Sequence, residues 1–456
     1  MDPRNPRVLL AASNSLQEGL IRVYTSPDGG ATWKVGRAPR PVPATGGAVD
    51  QWVAIGPDGR EYIAYLAATR IGGPSDEPLA GLRLFLSSRA SANGAWSIPS
   101  RPVAPPAGTL FDDKPMLTAD MFPGSPHKGR LYLAWARMYP IGLGSVLSHS
   151  DDHGRSWSSP VLVGRAHHRG WGASVGVGRN GEVYVAWWRP PVVLVARSRD
   201  GGHSFAREVL VGRYGAPLDG CSGFGTRLRA QPTACVRGNP ALAVDERTGR
   251  VFVAYAGWTP ARTMGVFVTS FTPALRVLER KRLDRSPRAA DAFNPALAID
   301  PRNGRLWACF YRTGSGQGRS RATYSCATSR DGKGWAAPVA VASVSSDETV
   351  RRAFKGFIGR EFGDYEDVAV AGASRSRSDA RLRRLDTSSE EIYTTTIRPG
   401  SCVRPAACAP AAATNRVRRR PVAARARART PRRAPRAQAA APRRPSPRVR
   451  ARARWS

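Results

Sequence analysis

Nowhere in the 456 residues is there a run of 18 apolar side chains, so no segment can cross a bilayer as a helix. The opening stretch, "MDPRNPRVLLAASNS", lacks the charged, apolar and small-residue succession of a signal peptide. Cysteine is scarce: there are six, and none has the CxxC spacing of a zinc site. The six histidines (His127, His149, His153, His167, His168 and His203) fall in loops and turns without metal-ligand spacing. No P-loop, Gly-x-Ser-x-Gly or His-Glu-x-x-His run occurs, which removes the commonest nucleotide, esterase and metalloprotease signatures. Neither a cofactor nor a metal is expected.

Acidic residues are missing altogether from 401–456, where 17 arginines stand. Subtracting them from the net charge of +36 leaves 36 − 17 = +19 for the first 400 residues. The tail is rich in Arg, Pro and Ala and has no apolar periodicity, so burial cannot offset its chain entropy. It is expected to be disordered from about 399 onward. Its charge suits polyanions, held by counterion release, unless the tail is a coding artefact.

What is abundant is glycine (46) and proline (38), the composition of many short strands joined by turns. One turn keeps returning: "SPDGGATW" at 26–33, "SDDHGRSW" at 150–157, "SRDGGHSF" at 198–205 and, one residue shorter, "SRDGKGW" at 329–335. Its Asp (28, 152, 200, 331) is placed to accept backbone N–H groups inside the turn, and its Gly permits positive φ. The closing aromatic starts the next strand. Stabilising a turn, rather than chemistry, is the expected role.

The boxes belong to a longer unit. An innermost strand recurs as "DQWVAIGPDG" (50–59), "DKPMLTAD" (113–120), "NPALAVDERTG" (239–249), "NPALAIDPRNG" (294–304) and "DYEDVAVAG" (364–372). A second strand recurs as "REYIAYLA", "RLYLAWAR", "EVYVAWWR", "RVFVAYAG" and "RLWACFYR". Alternation with β-branched and aromatic residues marks strands, and Gly turns mark hairpins. Four strands per repeat at a spacing of roughly 45–70 residues specify an all-β propeller over 1–398. Five complete units and two partial ones favour seven blades, with six as the alternative. The chain opens inside a blade, so an upstream segment carrying a secretion signal is expected.

Cysteines in near pairs suggest disulfides and an oxidising, extracellular setting. Cys309 and Cys326 fall on adjacent antiparallel strands. Cys221–Cys235 would close a loop between blades, and Cys402–Cys408 a small loop in the tail.

Propeller sites form at one mouth of the channel, where innermost strands begin and second strands end. Aligning the first set gives Asp50, Asp113, Asn239, Asn294 and Asp364, with Gly172 as the exception. Aligning the second gives Arg137, Arg189 and Arg312, each two residues after an aromatic and on its side of the strand, with Arg70 and Arg381 slightly beyond. Carboxylates and guanidiniums are thereby expected to converge.

The boxes, with "FGDYEDVAVAG" and "SDARLRRLDTSSEEIYTTTI" near the end, resemble the sialidase superfamily with Asp-box (bacterial neuraminidase) repeats over about residues 3–398. Within 377–381 the chain keeps Asp379 and Arg381 of that family's aromatic-Thr-Asp-x-Arg run but not the aromatic. The resemblance implies retaining exo-hydrolysis of sialic-acid-type sugars. An arginine triad (Arg137, Arg189, Arg312) would clamp the carboxylate, Tyr365 would be the nucleophile and Asp50 or Asp113 the acid. The family's Arg-Ile-Pro motif is absent, and no Glu matches the helper of Tyr365; Glu366 is merely adjacent. The alternative is a non-catalytic binding or scaffold propeller at the cell surface. In either case the partner is an anionic glycan and the protein is expected to be a monomer.

Overall fold

The computed structural model describes the backbone over residues 1–397, except 16–17, 42–46, 69–81, 105–108, 141, 165–169, 215–224, 286–289, 343–344, 348–365, 374–376 and 387–390. Side chains are described as far as 370, apart from those same segments and a few neighbouring positions. Alternating apolar residues deliver antiparallel strands throughout. Apart from a 3₁₀ turn at Gly316–Ser320, no helix occurs among the described residues.

Each repeat folds as a meander running outward from the axis. The third blade is Phe111–Ala119, Leu131–Tyr139, Gly142–Ser150 and Val161–Leu162. The fourth is Trp171–Val177, Val183–Arg189, Val192–Ser198 and Val209–Arg213. The fifth is Ala241–Val244, Val251–Trp258, Met264–Phe271 and Val277–Arg282. The sixth is Ala292–Ile299, Leu306–Thr313, Arg321–Ser329 and Val339–Ala340. Three-stranded sheets form the first blade (Leu9–Ser15, Leu20–Ser26, Lys34–Arg37) and the second (Ala48–Ile55, Glu61–Ala68, Leu82–Arg89).

Six segments face the axis, one from each of the innermost strands of blades two to six and one at the start of Asp367–Ala373. The propeller is therefore six-bladed, not the favoured seven. The N-terminal unit has no innermost strand of its own, so counting units overstates the ring by one. Asp367–Ala373 packs beside Ala292–Ile299 and pairs with Arg377–Asp386, which pairs with Glu391–Ile397. The tail from 398 lies outside the described residues.

The core lies between blades. Second-strand residues of one face, such as Trp135, pack with the preceding blade, while those of the other face pack with the following one. The boxes behave as turn fasteners. Ser150 Oγ accepts the Gly154 N–H at 2.9 Å and donates to Asp152 at 2.8 Å, and Asp152 accepts the Ser156 N–H at 2.9 Å. The same bonds recur around Asp28 and Asp200. Hydrogen bonds from the Thr32 side chain and N–H hold the Asp28 carboxyl well below the usual range. In the shorter box, Asp331 instead takes the N–H groups of Lys333 and Gly334.

Cys309 and Cys326 are direct cross-strand partners and form a disulfide in the core. Cys221, Cys402 and Cys408, and the side chain of Cys235, lie outside the described residues. Replacing both Cys309 and Cys326 by Ala is expected to lower stability by about 3 kcal/mol, the entropy of closing a loop of this size. Chemical denaturation of the oxidised protein and the double variant would check this. Equal midpoints would show that the bond adds nothing to the register already set by the sheet.

Candidate functional site

At the end of the channel opposite the boxes, the innermost strands begin with a bulge. Their pairing slips between Val49 and Trp52, Asp113 and Met116, Trp171 and Ser174, and Phe293 and Ala296. Each bulge holds one residue in the left-handed region: Asp50 (φ 54°), Lys114 (φ 55°), Gly172 (φ 61°) and Asn294 (φ 48°). Such a conformation costs energy for any residue but glycine, and bulges of this kind re-aim side chains near sites. The repetition in four blades makes the mouth a built feature.

This register corrects the sequence alignment in one place. The residue equivalent to Asp50 and Asn294 is Lys114, not Asp113, which lies one position earlier. Lys114 precedes Pro115 as Asn239 precedes Pro240 and Asn294 precedes Pro295. Matching Asp to Asp by type slipped the strand by one residue, and such a slip exchanges its two faces. Gly172 has a reason too: a Cβ there would stand 2.0 Å from Asn239 Oδ1.

Within the mouth is a pocket of about 130 Å³, lined by Thr118, Ser174, Asn239, Asn294, Glu366 and Asp367 beside Trp52 and other apolar groups. That is below the few hundred Å³ of a site that swallows a small molecule whole. It accommodates a substituent, while the body of a ligand would rest on the rim. Tyr324, fully buried, has its hydroxyl pushed well above its ordinary pKa by burial and then by the charge of Glu366. It stays neutral at any physiological pH.

The three aligned arginines each have a different partner. Arg137 is buried and holds Asp112 through Nε at 2.7 Å and Nη2 at 3.2 Å. Arg189 faces Glu208 at 3.9 Å, near the outer strand of its blade. Arg312 donates from Nε to Ser325 Oγ at 3.2 Å, its only hydrogen bond among the described residues. The aromatics two residues before them, Trp135, Trp187 and Phe310, belong to three separate core clusters. Both sides of a second strand face neighbouring blades, so alternation by itself does not say what an arginine there meets.

Of the remaining candidates, Asp50 is half-buried with its N–H bonded to Asn14 Oδ1 at 3.1 Å. Asn239 and Asn294 line the pocket together. Asp364 and Tyr365 lie outside the described residues, as does Arg70. Asp379 and Arg381 sit on Arg377–Asp386 opposite Ala371 and Ala369, with side chains outside the described set.

Two cations were missed. Lys114 and Arg237 flank the Trp171 ring at 5.9 and 6.0 Å, forming a cation–aromatic–cation array across three consecutive blades. The signal was legible in "DDKP" and "VRGNP", had the X-Pro step been used as the anchor.

No protein-family model matches the chain, and no curated protein sequence does. Among solved structures it is similar to the Hadza microbial sialidase Hz136, at 16% identity, covering 64% of this chain and 56% of that one, with a TM-score of 0.42. A leech intramolecular trans-sialidase is similar at 12% identity over 66% and 61% of the two chains, TM-score 0.43. An ulvan lyase of polysaccharide lyase family PL25 is similar at 11% identity over 75% and 78%, TM-score 0.45. The chain thus spans less than two thirds of the two sialidase-type structures. At such identities and scores none of them assigns chemistry to this protein.

Proposed function

We propose that this protein is a sialidase-like propeller that engages an anionic carbohydrate at the channel mouth, as a binding module rather than a hydrolase. The observation that carries the reading is Arg312. Its guanidinium is half-buried, burial draws its pKa below the usual value against the opposing charge of Asp284, and among the described residues it makes one hydrogen bond. A desolvated guanidinium of this kind favours a carboxylate or sulfate. Arg312 pairs with Ala292, where the innermost strand of its blade begins, and the pocket at the mouth separately offers the amides of Asn239 and Asn294 and the hydroxyls of Ser174 and Thr118 to sugar hydroxyls. Binding is preferred over hydrolysis because Arg137 is already engaged by an acid and Arg189 faces one, so no three-arginine clamp stands open. The buried disulfide supports an oxidising, extracellular compartment.

The test is calorimetric titration with sialylated, uronic-acid and neutral oligosaccharides. Arg312→Ala should weaken the anionic ligand by about tenfold or more, the loss of a charge-assisted hydrogen bond of roughly 1.5–3 kcal/mol, and leave neutral sugars unaffected. Undiminished affinity in Arg312→Ala would reject the site. Binding of a fluorogenic sialoside without release of its fluorophore is the expected companion result. Turnover abolished by Tyr365→Phe would instead make the protein a hydrolase, with Asp50 or Asp113 as its acid.

A further inference from the structure

The box face carries a histidine cluster that takes no part in the mouth. His149, at the end of Gly142–Ser150, is buried, and its Nδ1 is enclosed with no hydrogen-bond partner among the described residues. His203, in the box of the next blade, meets it edge-on with ring centroids 4.5 Å apart. On another side the Tyr132 ring lies 6.4 Å away. Arg130 spans the seam, pairing with Asp151 at 2.7 and 2.8 Å and donating to the Gly201 carbonyl at 3.0 Å. His127, from the same turn as Arg130, sits so close over Gly201 that a Cβ there would come within 2.3 Å of its Nε2.

We propose that His149, packed against His203, forms an acid-sensitive latch on the seam between the third and fourth blades, closed when the His149 ring is neutral and released when it takes a proton.

The groups facing His149 favour the neutral ring. Arg130 would repel a new positive charge, as would His127 and His203 when they themselves carry one, and the Asp151 carboxylate opposes them. Asp151 is committed to Arg130, Tyr132 offers an uncharged ring, and the more distant Asp120 is buried with bonds to Ser125 and the Phe122 N–H. Burial, then Arg130 and His203, pull the His149 pKa down from 6.5 to about 4. A lowered histidine pKa means that its stabilising contribution is full above pH 6.5 and falls away as pH drops toward 4. His153, the corresponding neighbour on the seam between blades two and three, is 46% exposed and bonded to Tyr62 Oη.

With an open-state pKa near 6.5 and a closed-state value of about 4, the opening equilibrium rises about twentyfold between pH 7 and pH 5. Amide hydrogen exchange of segments 127–132 and 198–205 in the full chain, corrected for intrinsic rates, reads this directly. Wild type should show the rise, His149→Gln should flatten it, and the exposed His203→Gln should flatten it in part. A pH dependence identical in wild type and both variants would overturn the latch. Should His149→Gln fail to fold, histidine C2-proton exchange on the wild type gives the midpoint itself. A value near 4 supports the latch, and one at or above 6.5 overturns it.

Discussion

Asp112→Ala should cost about 3–5 kcal/mol of stability, the penalty for leaving one partner of a buried ion pair uncompensated. Asp112 and Arg137 are each 1% exposed, and the carboxylate also accepts the Trp135 indole N–H at 2.9 Å. The guanidinium lies 5.1 Å from the centroid of that indole, so aspartate, arginine and tryptophan form one buried unit. Removing the carboxylate strands a charge and an indole donor together, out of reach of water. Against a typical total of about 5–15 kcal/mol, that is a large share. The double replacement Asp112→Leu, Arg137→Met should recover most of the loss, because apolar residues of similar volume need no compensation. Urea denaturation with an unchanged slope would report both effects. A cost below about 1 kcal/mol for Asp112→Ala would mean that solvent reaches Arg137, and would return it to the list of ligand-binding arginines.

Gly172→Ala should be the most damaging single methyl group in the channel. Its backbone is left-handed, and the added Cβ would meet Asn239 at Oδ1 (2.0 Å), Cγ (2.5 Å) and Cβ (3.2 Å). The backbone term is about 1–2 kcal/mol and overpacking adds about 1–3, for a total of about 2–5 kcal/mol. Gly316→Ala is the control: its φ is +57°, yet a Cβ there meets nothing within 4 Å. It should lose only the backbone term, about 1–2 kcal/mol. Since Asn239 lines the pocket, Gly172→Ala should also weaken carbohydrate binding, which Gly316→Ala should not. Equal losses of stability in the two variants would show that Asn239 simply swings aside.

Much of this protein was determined by contiguous residues. The alternation of "RLYLAWAR" and its counterparts fixed strands, and repetition fixed a propeller. The Ser-x-Asp-x-Gly boxes encode their own turns because every donor and acceptor lies within a few residues of the Asp. The Cys309–Cys326 bond followed from antiparallel neighbours one hairpin apart. The mouth of the channel was less legible, since its residues come from different blades. Asn239 and Asn294 line the pocket, whereas Lys114 was hidden by a bulge that inserts one residue and shifts the alternation beyond it. What each arginine faced depended on the blade packed against it. The ring count also lay beyond local reading: six blades rather than seven was settled by how many innermost strands surround the axis, a closure condition that no single repeat contains.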